Sequence, residues 1–572
     1  MSATKKKATG AHFTPPELAR HVAKRLADLI ASIEGPIRVL DPACGDGNLL
    51  RAMAEVLPKK IQRRVTLIGI ENDDASFTAL TSGTNQFGAC AADLIKGDFL
   101  EFFEDGDLFG APQELAPVDV IVANPPYVRT QVLGAKRSKD LANRFGLSGR
   151  VDLYQAFLVA MAKRLRPGGI LGVITSNRFL TTKGGMATRR FLRANFELIE
   201  IVDLGDTKLF EAAVLPALVF ARKCRKTPLA KPHPKFVRIY EYRDCDASCA
   251  ESAQSVLDCL DSSTSGLFQT NGITYRVARG ELSIPNDDTR SWTMLTDYEG
   301  RFIARLDAVS KCRLGDVAKV RVGIKTTADD VYVRRDWHTL PDALRSEEKY
   351  LRPLLSQENA AKWRPRDSDD CQKRVLYTHE VVEGCRRAIA FDKSSPTWQY
   401  LLAHKEKLES RKYVIDAGRS WYEIWVPQDP SAWNRPKIVF PDISPEPRFF
   451  LDRKGHIVDG NCYWITTYDP LDEDLLLLIL GVANSSLMTR YHDLAFQNKL
   501  YSQRRRHLTQ YVVEYPLPDR RIPASIEIVE LARQLSAGTT TRDDQLSLEL
   551  RLDGLVPLAF GIDSSEFTDM KG

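Results

Sequence analysis

The tetrapeptide Asn124-Pro125-Pro126-Tyr127 follows directly on the apolar stretch Val118-Asp119-Val120-Ile121-Val122-Ala123. A short apolar run of this kind reads as a buried strand, which puts the tetrapeptide at the strand's carboxyl end. Two consecutive prolines lock φ and remove two backbone donors, so the corner is stiff. A stiff corner can hold the Asn124 carboxamide oxygen and the Pro125 carbonyl as paired acceptors for one amino group. Such acceptors favour the positive charge that grows on nitrogen as it attacks a methyl sulfonium. Tyr127 can stack on the flat base carrying that amine.

Three earlier stations stand in matching order. The strand-like Arg38-Val39-Leu40 runs into Asp41-Pro42-Ala43-Cys44-Gly45-Asp46-Gly47-Asn48, and helix-like Leu49 to Val56 follows. Gly45 and Gly47 let backbone approach a ligand where a Cβ would collide. The turn lacks GxGxxG and carries no following GKS/T, which disfavours a dinucleotide or a P-loop triphosphate. The next strand, Thr66–Ile70, ends in Glu71-Asn72, where an acidic tip can grip ribose hydroxyls. Ile95-Lys96-Gly97-Asp98-Phe99 then offers a carboxylate acceptor and an aromatic face suited to adenine. Singly, an Asp at a strand end is usually a helix cap; three stations in order are a stronger signal.

These stations require a framework of alternating strands and helices. Glu17 to Ile33 places Leu18, Val22, Leu26 and Ile30 on one helical face behind Thr14-Pro15-Pro16. Strands are expected at Ile37–Leu40, Val65–Ile70, Val118–Ala123, Ile170–Thr175 and Leu198–Val202, with a helix at Leu153–Leu165, and this alternation predicts a doubly wound, mostly parallel α/β sheet. Length and charge agree with a large multidomain protein. The chain has 572 residues, a net charge of +5 from 80 Lys+Arg against 75 Asp+Glu, and ten scattered cysteines. No apolar run reaches the ~18 residues of a membrane span, and the basic N-terminus has no apolar segment behind it, so neither membrane nor export is expected. Cysteine spacing without a CxxC pair predicts reduced thiols in a cytoplasm and no metal site.

The set His12-Phe13-Thr14-Pro15, DPACGDG, Glu71, Asp98-Phe99 and NPPY resembles the S-adenosylmethionine-dependent DNA adenine-N6 methyltransferases, in the motif order of their gamma class. Asp152-Leu153-Tyr154, Leu165-Arg166-Pro167-Gly168-Gly169 and Ile174-Thr175-Ser176-Asn177 are similar to that family's later motifs. The resemblance implies a class I methyltransferase domain, Rossmann-like with a mixed seven-stranded sheet, plus a C-terminal α+β target-recognition domain. It implies S-adenosylmethionine as cofactor, with Thr14, Asp41, Ala43, Cys44, Gly45, Gly47, Glu71, Asn72, Asp98, Phe99 and Asn124 around it. Glu71 would hold the ribose diol and Asp98 the adenine amino group. Asn124, Pro125, Pro126 and Tyr127 would hold the target base, with Phe210 on its other face. That base must be rotated out of duplex DNA at a cost of a few kcal/mol.

The remaining half of the chain is far longer than a small-molecule or protein methyltransferase needs. Val322 to Thr326, Asp330 to Val333, Tyr350 to Leu355, Lys437 to Asp442 and Leu480 to Ser485 look like the family's recognition region. The expected division is 1–235 catalytic, 236–265 a crossover that follows Pro228, Pro232 and Pro234 and is Ser-rich from Ser248 on, 266–520 target recognition and 521–572 a helical C-terminal segment. Helical patterns are read at Asp472–Arg490 and Ile526–Leu550. Arg504, Arg505 and Arg506 form a candidate phosphate-contacting loop, and Lys183 and Arg189 are candidates in the first half. Pro441-Asp442 followed by Asp452-Arg453-Lys454 superficially resembles a nuclease metal site, although the region reads as a hairpin. The reading is site-specific adenine-N6 methylation of double-stranded DNA in a restriction-modification or related defence system, alongside a cognate restriction endonuclease or other subunit. Alternatives are a catalytically silent specificity subunit, or methylation of cytosine N4, RNA adenine or protein glutamine.

Overall fold

In a computed structural model of the chain, residues 13–563 are described apart from 84–85, 104–114, 129–133, 148–151, 210–214, 226–233, 243–249, 286, 288–290, 367–372, 499, 501–503 and 539–540. The chain forms two compact units, Met1–Gly300 with Leu500–Ser502 and Arg301–Lys499 with Gln503–Gly572.

The first unit is built on one mixed sheet. Its strands are β1 (Ile37–Asp41), β2 (Val65–Glu71), β3 (Ala91–Lys96), β4 (Val118–Ala123), β5 (Leu165–Ser176), β6 (Phe196–Asp203), β7 (Pro216–Lys223), β8 (Lys235–Glu241), β9 (Glu251–Ser252), β10 (Gly266–Thr270) and β11 (Ile273–Glu281). Their spatial order is β3-β2-β1-β4-β5-β7-β6-β8-β11-β10-β9. Strands β1 to β5 are parallel to one another, and β7 lies antiparallel between β5 and β6. The seven expected strands are therefore present, in the mixed arrangement that the resemblance implies.

Four further strands extend this sheet. The segment read as a crossover holds part of them, because β8 pairs in parallel with β6 through Glu200↔Lys235 to Asp203↔Arg238, and β11 pairs antiparallel to β8. The pairing covers what would be an open edge at β6, and the compact unit continues to Gly300 rather than stopping at 235.

Helices pack on both faces. Helix α1 (Pro16–Ile30) starts with proline at its first position and buries Leu18, Val22, Leu26 and Ile30, the face that its period predicts. With α2 (Asn48–Val56) it covers Val39, Leu67, Val120 and Ile174 on one side of the sheet. On the other side α3 (Leu153–Arg164) is apolar nearly all round, and its Ala156, Phe157, Ala160 and Met161 join Leu40, Ile68, Ile121 and Leu171. Burial of both faces explains why β1, β2 and β4 read as continuous apolar runs rather than alternating ones.

The second unit contains a four-stranded antiparallel sheet in the order 318–322, 462–467, 437–441, 450–452. Its core is aromatic, with Trp433 against Trp464 at 4.8 Å between ring centroids. The two helical patterns near the C-terminus each resolve into a pair. The first breaks at Ser485, whose hydroxyl caps the second helix at the Met488 N–H; the other ends at Gly538, whose φ of +81° leaves the helix. Among the described residues no helix is long and apolar enough to cross a membrane.

Candidate active site

The carboxyl ends of β1, β2 and β4 lie side by side, since β1 is flanked by β2 and β4 and the strand order reverses there. In open parallel sheets such a switch point forms the ligand crevice. After β1 the backbone doubles back: Cys44 N–H donates to the Ile70 carbonyl at 3.0 Å and Gly45 N–H to Glu71 Oε2 at 2.8 Å. Glu71 Oε1 accepts from the Asp73 N–H at 2.7 Å, so two backbone donors fix this carboxylate at the tip of β2. Gly45 and Gly47 have φ of +55° and +85°, the left-handed region that an ordinary side chain avoids. Cys44 is buried, and burial pushes its thiol pKa up.

Asp41 closes β1 and is 1% exposed. Its Oδ1 accepts from the Ala43 N–H at 3.2 Å, whereas Oδ2 is buried without a hydrogen-bond partner. Burial, reinforced by the Glu71 and Asp46 charges, raises its pKa to about 8. Asp98 follows β3, half-buried, with Oδ1 accepting from the Leu100 N–H at 3.0 Å and Arg137 3.6 Å from Oδ2. Asn72 is exposed, and its carbonyl accepts from Lys96 Nζ.

At the end of β4 the Asn124 Nδ2 donates to Thr14 Oγ1 at 3.2 Å, and the Tyr127 hydroxyl donates to Asn124 Oδ1 at 2.9 Å. Thr14 is buried immediately before α1, and its carbonyl accepts from Asn48 Nδ2 at 3.0 Å. One side-chain chain thus links the start of α1, the Gly-containing turn and the Asn-Pro-Pro-Tyr corner. Burial raises the Tyr127 pKa, with the neighbouring Tyr154 adding to it, and keeps the hydroxyl protonated as a donor. Pro125 is buried and Pro126 half-buried.

Several expectations are corrected. Phe99 is 1% exposed and packs on Phe157 with 5.8 Å between centroids, so its ring belongs to the core and offers no open face to a purine. Arg189 is 1% exposed and donates to the Phe179 and Thr182 carbonyls at 2.7 and 2.9 Å; it ties a turn together and does not reach for phosphate. Arg505 is likewise buried, its Nε and Nη2 held by the Asp493 carboxylate at 2.6 and 2.8 Å. Strand alternation explains that reversal, because Arg505 and Arg506 are successive residues of one short strand and face opposite ways. Arg504 is exposed and Arg506 half-buried. Phe210 and the Lys183 side chain lie outside the described residues.

Four residues absent from the expected site belong near it. The Phe13 ring lies over Gly45, 3.3 Å from where a Cβ would stand, and the residue is 39% exposed. Asn48 joins the Gly-containing turn to Thr14. Behind the corner, Tyr154 and Gln155 both hydrogen-bond Thr188 Oγ1, at 3.2 and 3.1 Å. Phe13, an aromatic beside Thr14, carried a readable signal, as did Tyr154 within Asp152-Leu153-Tyr154; Asn48 and Gln155 depend on the fold.

The sheet order and the loops at its carboxyl edge define a class I S-adenosylmethionine-dependent methyltransferase. The Eco57I restriction-modification methylase family matches residues 79–210, and the TaqI-like C-terminal specificity domain matches 388–516. The type II methyltransferase M.BanIII of Aneurinibacillus aneurinilyticus is 44% identical over 571 residues, 98% of either chain. A release factor glutamine methyltransferase of Moorella thermoacetica is 29% identical over 24% of this chain and 44% of its own. Among solved structures, the type IIL restriction-modification enzyme MmeI in complex with DNA shares the fold at a TM-score of 0.60 and 14% identity, over 99% of this chain and 78% of that one. The chain belongs to the type II methyltransferases of restriction-modification systems. It is accordingly a DNA methyltransferase whose methyl donor is S-adenosylmethionine.

The residues present suit that donor. An unpartnered, buried carboxylate oxygen on Asp41, beside Glu71 and Asp46, favours a ligand bearing positive charge and hydroxyl donors. Because Asp41 holds its proton below about pH 8, binding a cation there requires that proton to leave. Affinity for S-adenosylmethionine is therefore expected to rise between pH 6 and 8, by up to about tenfold per unit. Calorimetric titration of wild type against Asp41→Asn checks this: the slope should flatten in the variant, and equal slopes would refute the role.

Proposed function

We propose that this protein methylates the N6 amino group of an adenine rotated out of duplex DNA, at a specific sequence, within the cytoplasm of a cell that carries a restriction-modification system. The first compact unit would be catalytic, and the second would recognise the target. The observation that carries the reading is the fixed carboxamide of Asn124, whose Nδ2 donates to Thr14 while its oxygen faces Tyr127.

S-adenosylmethionine supplies a methyl group on positively charged sulfur, reactive enough for a neutral amine to attack without a strong base. Asp41, Glu71 and Asp98 would hold it, Glu71 at the ribose and Asp98 at the adenine amino group. Asn124 Oδ1 and the Pro125 carbonyl would accept the two amine hydrogens of the target, turning the nitrogen lone pair out of ring conjugation. They also stabilise the positive charge that builds on that nitrogen. Tyr127 would stack on one face of the extruded base and Phe210 on the other. Stacking worth about 1–3 kcal/mol per face offsets the cost of unstacking. The amine proton leaves to water after transfer.

The resemblance favours adenine over cytosine, since cytosine-N4 enzymes usually carry Ser in place of Asn124. A large specificity unit disfavours glutamine as the acceptor. The test is transfer of labelled methyl from S-adenosylmethionine to unmodified duplex DNA, RNA and release factor, followed by nucleoside analysis. N6-methyladenine from duplex DNA alone is expected; label in N4-methylcytosine, RNA or protein would overturn the assignment.

A further inference from the structure

The basic run of the second unit does not act as one patch. Arg505 is spent on Asp493, but Arg506 lies on the antiparallel pair formed by Ile443–Ser444 and Arg505–Arg506. Its Nη2 donates to Asp442 Oδ2 at 3.2 Å, with the two side chains 36% and 26% exposed. Both backbones are pinned. Asp442 N–H donates to the Asn461 carbonyl at 2.9 Å, His507 N–H to the Asp442 carbonyl at 2.8 Å, and Asn498 Nδ2 to the Arg506 carbonyl at 2.8 Å.

A second cation stands close by, for the exposed Lys325 acts electrostatically on the same Asp442 carboxylate. Lys325 sits on a rigid loop. It exchanges both backbone hydrogen bonds with Val426 at 3.0 Å, and a Cβ on Gly323 would lie 2.1 Å from the Asp459 carbonyl oxygen. The result is a pre-oriented, partly exposed guanidinium whose Nε is buried, with a carboxylate beside it and the Lys325 charge close by.

That combination discriminates between DNA groups. A phosphate would meet the Asp442 carboxylate at close range, and a flexible lysine serves phosphate as well. A base edge carries no charge to repel, and the terminal Nη edge, with Nε buried and one Nη2 hydrogen held by Asp442, matches the O6 and N7 acceptors that guanine shows in the major groove. We propose that Arg506, held by Asp442, reads a guanine in the target sequence and fixes specificity at that one position, a step that rests on the DNA-methylating function proposed above. Asp442 acts as a positioning residue, and both lie within the stretch that matches the TaqI-like specificity domain.

The experiment is methylation of a randomised duplex library by the full chain, read by sequencing the modified molecules, for wild type, Arg506→Lys, Arg506→Gln and Asp442→Asn. The expected outcome is a wild-type motif containing a guanine whose discrimination falls about tenfold to a hundredfold in the Arg506 variants and less in Asp442→Asn. Other positions keep their preference. Uniform weakening across all sequences, with the salt dependence of binding reduced by about one ion, would make Arg506 a phosphate contact and overturn the proposal. Lower thermal stability with an unchanged motif would make the pair structural, which also overturns it. Wild-type chain that modifies no duplex would instead refute the function itself.

Discussion

Asn124→Ala is expected to lower methyl transfer by about a hundredfold to a thousandfold while the dissociation constant for S-adenosylmethionine stays within a few-fold. The magnitude is that of removing one preorganised hydrogen-bonding group from a site where charge develops. The affinity should persist because the carboxylates of Asp41 and Glu71 are fixed independently of Asn124, by the backbone of Ala43, Gly45 and Asp73. Single-turnover rates and calorimetric titration separate the two quantities. Undiminished transfer would remove the amine-holding role.

Tyr127 sharpens the same prediction, because its hydroxyl occupies Asn124 Oδ1 at 2.9 Å, the oxygen assigned to the target amine. An incoming amine must share or displace that donor. Tyr127→Phe keeps the ring and deletes a hydrogen bond worth about 0.5–1.5 kcal/mol net. It is expected to leave kcat/KM unchanged or a few-fold higher. Tyr127→Ala deletes the ring, and the loss of about 1–3 kcal/mol of stacking predicts a tenfold to hundredfold fall. If the Phe variant were as impaired as the Ala variant, the hydroxyl rather than the ring would do the work.

Strands β1, β2 and β4 were legible because burial on both faces leaves unbroken apolar runs, and their carboxyl ends carry the polar residues that a sheet interior excludes. β3 was harder: Ala91 to Lys96 lies at the sheet's outer edge and is largely exposed, so its composition carries little hydrophobic signal. Segment 236–265 reads as a crossover because the prolines before it and its serines resemble a linker, while the pairing of β8 with a distant strand leaves no local trace. The basic residues failed for a different reason. Whether Arg189 or Arg505 faces solvent depends on one register step or one helical turn, and on a carbonyl or carboxylate brought in by tertiary folding. An arginine run announces charge, not direction. Asp442 and Arg506 are 64 residues apart, so no spacing rule could have paired them.

The same blindness applies to Asp452, which a motif search would set beside Asp442 as a metal ligand. Asp452 stands directly opposite Lys437 in the antiparallel ladder, and its Oδ2 accepts from Lys437 Nζ at 2.6 Å. Oδ1 accepts from His456 Nδ1 at 2.7 Å and the Lys454 N–H at 3.0 Å, so neither oxygen is left for a cation. Lys437 is fully buried, with a second bond to the Trp433 carbonyl at 2.8 Å. Burial pushes the Asp452 carboxyl up, but His456 and the Lys437 charge outweigh it and hold the pKa below the usual range. Asp452→Asn strands a buried ammonium and is expected to destabilise the second unit by about 3–5 kcal/mol. The double variant Lys437→Met/Asp452→Leu removes both charges and should recover part of that loss, the remainder reflecting the His456 and Lys454 donors left without an acceptor. Denaturant unfolding followed by tryptophan fluorescence reads it, since Trp433 packs beside the pair. The pH dependence has a definite sign. A carboxyl with a depressed folded pKa stabilises above its unfolded value and loses that contribution as pH falls through the folded one. Wild type should thus weaken below about pH 4 by an increment missing from the double variant. Equal acid sensitivity in the two, or a single variant as stable as the double, would show that the pair contributes nothing to holding this strand junction together.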